Sequence, residues 1–171
     1  AGGLDAWEAW EEEHEAEAEE VRGAQGLPAR RRKPQVGAVA PQELAELLLA
    51  GRCVIADARQ PQEARGRPFP GAQREISLYT AERRPEEVRA CLQRLQEEHR
   101  EPPLRVVTVS ACGRRCRDYG AMLTERFGLS SHQVSCLDGG LAAWADWESA
   151  NAEATAQLRE ACGLPPMRRR A

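Results

Sequence analysis

The sequence predicts an α/β domain: a parallel sheet of about five strands, covered by helices on both faces, with a helical extension at each end. Three observations carry this reading. Short apolar, β-branched runs alternate with segments of helical period between Val36 and Trp147. That alternation is the pattern of parallel strands joined by crossover helices. One run, Val106 to Ser110, passes through a tight loop at Gly113 directly into a helical pattern ending at Phe127. Outside this region the composition changes, to an acidic segment and a basic linker before it and a helix with a basic tail after it.

The chain has 171 residues, room for one such domain with extensions. Its hydrophobic fraction of 42% allows a packed core, and its charged fraction of 30% covers the surface. The net charge of −3 argues against a general nucleic-acid binder. No apolar run reaches the length of a membrane span and no secretory signal is visible, so a soluble protein is expected. The chain begins with Ala1. A mature mitochondrial or chloroplast protein that has lost its targeting peptide would begin this way, and so would a chain cut for other reasons.

Taken in order, residues 1–35 form the first segment. Residues 5 to 20 carry nine carboxylates and no Lys or Arg. Leu4, Trp7, Trp10, His14, Ala18 and Val21 fall at spacings of three and four, so a narrow apolar seam runs down an acidic helix. Its self-repulsion means that it needs a surface to lie against. Trp7 and Trp10 are the candidate contacts, either with the rest of the chain or with a basic protein partner. His14 has no ligand-like neighbours and is read as seam or surface. Gly23 to Gly37 is a linker holding the basic run Arg30 to Lys33.

Residues 36–147 form the domain. Val36 to Val39 is extended. Pro41 opens a helix with Leu44, Leu47 and Leu48 on one face, ending near Gly51. Cys53 to Asp57 is a buried strand, with Asp57 and Arg59 at its carboxyl end, where open sheets place ligands. Gln60 to Gly71 is a loop with one helical turn near Glu63. Glu75 to Tyr79 alternates like a strand. Pro85 to Arg100 is a helix, Leu104 to Ser110 the central strand, Cys116 to Phe127 the next helix and Gln133 to Leu137 the last strand. Asp138-Gly139-Gly140 turns into a helix bearing Trp144 and Trp147. Residues 148–171 continue as a helix to Cys162, stopped by Gly163 and two prolines, and end in Arg168, Arg169 and Arg170.

The strand–loop–helix is the candidate site. The unpaired first N–H groups of a helix and its dipole make an anion cradle. Ala111, Gly113, Arg114, Arg115, Cys116 and Arg117 would line it. Cys112 sits among the arginines, a setting that favours a thiolate. The plainer reading of Cys112 and Cys116 is that of small buried residues. Cys53, Cys91 and Cys136 are read as core. The six cysteines show no metal-type pairing, so neither metal nor cofactor is expected.

Four stretches resemble the rhodanese-like domain. Val54 to Arg59 is similar to the family's early strand ending in Asp-x-Arg. Gly66 to Ala72 is similar to its G-H-I-P-G-A segment, with one extra residue and Arg67 for the usual His. Val106 to Cys116 is similar to its active-site strand and loop, C-x-x-G-x-R-S. Leu137 to Trp144 is similar to its closing G-G-x-x-x-W. The resemblance implies the fold, a supporting role for Asp57 and Arg59, and sulfur carried as a persulfide on a loop cysteine. Matching Gly113 and Arg115 to the family's Gly and Arg puts Ser110 at that cysteine's position. A shift of two residues would instead make Cys112 the nucleophile and Arg117 the closing arginine, at the loss of the glycine match. The Ser110 register is preferred. It implies a degenerate domain serving as an accessory subunit or adaptor of a larger complex, held through the acidic helix and the basic tail, with a small anion as a further ligand of the loop. The shifted register implies an active sulfurtransferase.

Overall fold

The computed structural model describes residues 10, 14–26, 35–99, 103–111 and 113–166. It divides into two compact units, Ala1–Lys33 and Pro34–Ala171. In the first, α1 spans Glu15–Ala24. The Trp10 and His14 rings stack at 5.0 Å, and His14 Nδ1 lies 3.1 Å from the Trp10 carbonyl. His14 is therefore part of the seam. Leu4 and Trp7 fall outside the described residues.

The second unit holds four parallel strands: β1 (Gly37–Val39), β2 (Cys53–Asp57), β3 (Arg105–Val109) and β4 (Val134–Leu137), in the order β1-β4-β3-β2. Every residue of β2 and β4 is buried, as expected of strands covered on both faces. The helices are α2 (Pro41–Leu49), α3 (Pro61–Gly66), α4 (Leu78–Arg83), α5 (Pro85–Glu98), α6 (Arg114–Phe127), α7 (Gly140–Ala150) and α8 (Ala152–Ala161). One core lies between the sheet and α4 to α6, with Val54, Ala56, Val106 and Val134 meeting Leu92, Tyr119 and Leu123. The other lies on the opposite face, where Ile55, Val107, Val109 and Leu137 meet Leu44, Trp144 and Leu158. Alternate strand residues thus feed opposite cores.

The sheet has four strands where about five were expected. Glu75 to Tyr79 is not a strand. It is a 3₁₀ turn, Arg74–Ile76, followed by α4. Ser77 caps α4 by accepting a hydrogen bond from the Thr80 amide at 3.2 Å. What remains of a fifth strand is one parallel bridge, Ile55 to Ala72. The Ile55 amide donates to the Gly71 carbonyl at 3.3 Å, and the Gln73 amide donates to the Ile55 carbonyl at 3.0 Å. The helical turn expected near Glu63 is a short helix, with Pro61 at its first position and the Gln60 amide donating to Glu63 at 2.8 Å. The single helix expected from Glu148 to Cys162 is two helices, broken at Asn151, whose side-chain amide donates to the Trp147 carbonyl at 2.9 Å. Among the described residues no helix is long and apolar enough to cross a membrane.

Candidate functional site

The site stands at the carboxyl end of β3, between its two sheet neighbours. Ser110 follows the strand and has no exposed surface. Its Oγ accepts a hydrogen bond from the Cys116 amide at 3.3 Å, satisfying an otherwise orphan N–H in the first turn of α6. Gly113 takes the left-handed conformation, φ +79°, that turns the loop into the helix. Its carbonyl receives the Cys116 thiol at 2.8 Å and the Arg117 amide at 3.4 Å. From below, Thr108 Oγ1 donates to the Cys116 carbonyl at 2.8 Å. Ala111 is exposed.

The loop has a back wall that the sequence reading did not count as part of the site. The Leu141 amide donates to the Ser110 carbonyl at 3.1 Å. A Cβ on Gly140 would stand 2.7 Å from that carbonyl oxygen and 2.9 Å from the Ala111 carbonyl oxygen. Only glycine allows this approach, at a φ of +59°. The Gly139-Gly140 pair directly after a strand is the signal that could have revealed it.

Three arginines were expected around the loop. Arg115 pairs with Glu63 at 3.4 Å, both partly exposed. The Gln60 amide, followed by Arg115, holds the Glu63 carboxyl below its ordinary pKa. Arg117 is exposed, and its guanidinium lies beside the Cys136 sulfur. Arg114 opens α6, its side chain outside the described atoms. Cys112 also lies outside the described residues.

Asp57 and Arg59 are occupied with each other. Arg59 Nη2 meets Asp57 Oδ2 at 2.7 Å, both buried, and Arg59 Nε donates to Asp57 Oδ1 at 2.9 Å. Arg59 Nη1 donates to the Arg67 carbonyl at 2.8 Å. The pair therefore braces the loop after β2, and its charge is neutralised internally.

The remaining thiols divide by environment. Cys53 is core, its pKa pushed up to about 12 chiefly by burial. Cys91 is on α5, its side chain buried in the core. Cys136 is buried as expected, but it sits beside Cys116 rather than among apolar groups alone, and its pKa is lowered to about 6. The first cause is the neighbouring Cys116 thiol. Burial opposes this, and Arg117 supports it. The same neighbour, followed by burial, pushes the Cys116 thiol up.

The described groups at the start of α6 have partners within the protein: the Cys116 amide on Ser110 Oγ, the Arg117 amide on the Gly113 carbonyl and Arg115 on Glu63. The Ser110 hydroxyl oxygen accepts the Cys116 amide, and the hydroxyl also lies beside the Cys116 thiol.

A family model for the rhodanese-like domain matches residues 40–146. No curated protein is significantly similar in sequence. A solved Saccharomyces cerevisiae structure, described as a homolog of single-domain rhodanese and the Cdc25 phosphatase catalytic domain, is 17% identical. It covers 68% of this chain and 84% of its own, with a TM-score of 0.55. A rhodanese-related protein from Thermoplasma volcanium is 16% identical over 65% of this chain and 92% of its own, at a TM-score of 0.47.

Proposed function

The chain belongs to the rhodanese-like domain family, and on that premise we propose that it is a catalytically degenerate member acting as a binding module, an accessory subunit or adaptor of a larger assembly. The observation that carries this reading is Ser110. It follows β3, and its Oγ receives the Cys116 amide. In the register that matches Gly113 and Arg115 to the family's Gly and Arg, Ser110 takes the position of the sulfur-carrying cysteine. A hydroxyl forms no S–S bond and, without a dedicated base, is a poor nucleophile. What remains is recognition. The start of α6 with Arg115 and Arg117 suits a small anion or a partner's carboxylate. The acidic segment with Trp7 and Trp10, and the basic end of the chain, supply further surfaces for protein partners.

The test is sulfur transfer from thiosulfate to cyanide by the wild type, Cys112→Ala and Ser110→Cys. Wild type and Cys112→Ala are expected at the rate of buffer alone. Ser110→Cys is expected to gain one sulfur from thiosulfate, read by intact mass. Wild-type turnover that disappears in Cys112→Ala would overturn the proposal and make the protein a sulfurtransferase working through Cys112.

A further inference from the structure

Helix α6 leaves the carboxyl end of β3 and runs back over the sheet toward the start of β4. Its successive turns therefore meet β4 in reverse order. Gly120 marks how close the approach is, for a Cβ there would lie 3.3 Å from Val134 Cγ1. One turn toward the helix start, about 6 Å away, is Cys116. Two residues further along β4, about 6.6 Å away, is Cys136. The two steps match, so Cys116 stands over Cys136 much as Gly120 stands over Val134. Thr108 ties the positions together. It is the register partner of Cys136, and its Oγ1 reaches the Cys116 carbonyl at 2.8 Å and the Ser135 carbonyl at 3.3 Å. Cys136 shares the sheet face of Val134 and Val106, the face that α6 covers.

We propose that Cys116 and Cys136 form a reversible disulfide that pins the start of α6 to β4, an oxidation site separate from any sulfur chemistry at Ser110 or Cys112. The oxidant is a peroxide. The Cys136 thiolate attacks one peroxide oxygen and the O–O bond breaks. Cys136 becomes a sulfenic acid, and the other oxygen leaves as hydroxide or alkoxide. The Cys116 sulfur then attacks the Cys136 sulfur. The sulfenic hydroxyl leaves with the Cys116 proton as water. Two electrons pass from the thiol pair to the peroxide, and a dithiol reductant reverses the change by exchange. The lowered pKa of Cys136 keeps it largely ionised at neutral pH, beside the Arg117 guanidinium. The bond also reaches the loop, because Cys116 Sγ lies 2.8 Å from the Gly113 carbonyl oxygen and a disulfide sulfur has no proton to hold that contact.

The experiment is thiol mapping of the full chain. The protein is treated with equimolar hydrogen peroxide, free thiols are alkylated, and non-reduced peptides are read by mass spectrometry. The expected result is an intact mass lower by two hydrogens, one cross-linked pair joining Cys116 to Cys136 within a single chain, and reversal by dithiothreitol. Cys116→Ser and Cys136→Ser should each abolish it, with circular dichroism checking their folding. The wild-type map alone decides if either variant fails to fold. Both thiols alkylated, a Cys112–Cys116 link, a link between chains, or Cys136 stopping at sulfinic acid beside free Cys116 would each overturn the proposal.

Discussion

Gly140 is the residue on which the site's shape most directly depends. Its positive φ and the 2.7 Å that a Cβ would leave to the Ser110 carbonyl oxygen are two separate penalties. Gly140→Ala should therefore cost about 1–3 kcal/mol, through backbone strain and displacement of the loop. Urea unfolding checks the loss, and a stability within ~0.5 kcal/mol of wild type would contradict the close approach. Cys136 makes a second residue-level prediction, with a definite sign. Its pKa falls from 9.0 to about 6 in the fold, so ionisation favours the folded state. The contribution is absent below pH 6, grows between pH 6 and 9, and is complete above the unfolded value; it is lost as pH falls through 6. Thiolate absorbance should show one group titrating near pH 6. Cys136→Ala should remove it, and Cys116→Ala should move it upward by removing the largest cause of the shift. A titration unchanged in Cys116→Ala would refute the coupling.

At the scale of the element, the segment after β2 shows how two local signals compete. Glu75-Ile76-Ser77-Leu78-Tyr79 alternates like a half-buried strand. Yet Ser77 is a good cap, and its hydroxyl claims the Thr80 amide at 3.2 Å. The preceding turn is then fixed from outside, where the buried Tyr119 hydroxyl donates to the Ile76 carbonyl at 2.6 Å. Tyr119→Phe removes that donor from a buried acceptor and should cost about 1–3 kcal/mol. Faster amide exchange in the Ser77–Arg84 segment than in β3 would locate the effect, whereas uniform protection in the variant would argue against the anchor. The contrast explains what was legible. The runs at Cys53–Asp57 and Val106–Val109 read as strands because local composition and two-sided burial agree. The capping Ser77 competed with a five-residue alternation, and the deciding contact comes from a residue 43 positions away. The site was legible to the same degree. Its strand, loop and helix were local, whereas the Gly140 wall and the Cys136 neighbour arrive from across the fold.

Across the second unit, the sheet is closed on one face by helices from both ends of the sequence. Trp147 Nε1 donates to Gln42 Oε1 at 2.8 Å, joining α7 to α2. Glu148 is buried, 3.0 Å from Arg67 and 3.9 Å from Arg159, so it links the loop after β2 to α8. The sequence marked a helix beyond the domain but could not say what covered it, because Leu44 and Ile55, in the core it joins, lie more than a hundred residues earlier. Leu158 answers that question, with 1% of its surface exposed in the same core as Leu44, Ile55 and Trp144. A helix that merely followed the domain would tolerate truncation at this position. A helix completing the core would not, because lost transfer energy and an uncollapsed cavity add together. Leu158→Ala should therefore destabilise the protein by about 2–5 kcal/mol, and the same change at exposed Gln157 by under ~0.5 kcal/mol. Both are read from denaturation midpoints at constant slope. Equal, small losses would mean that α8 is an appendage. A single cooperative transition carrying the whole Leu158 loss would make it part of the domain, with the sheet and the loop at β3 depending on it.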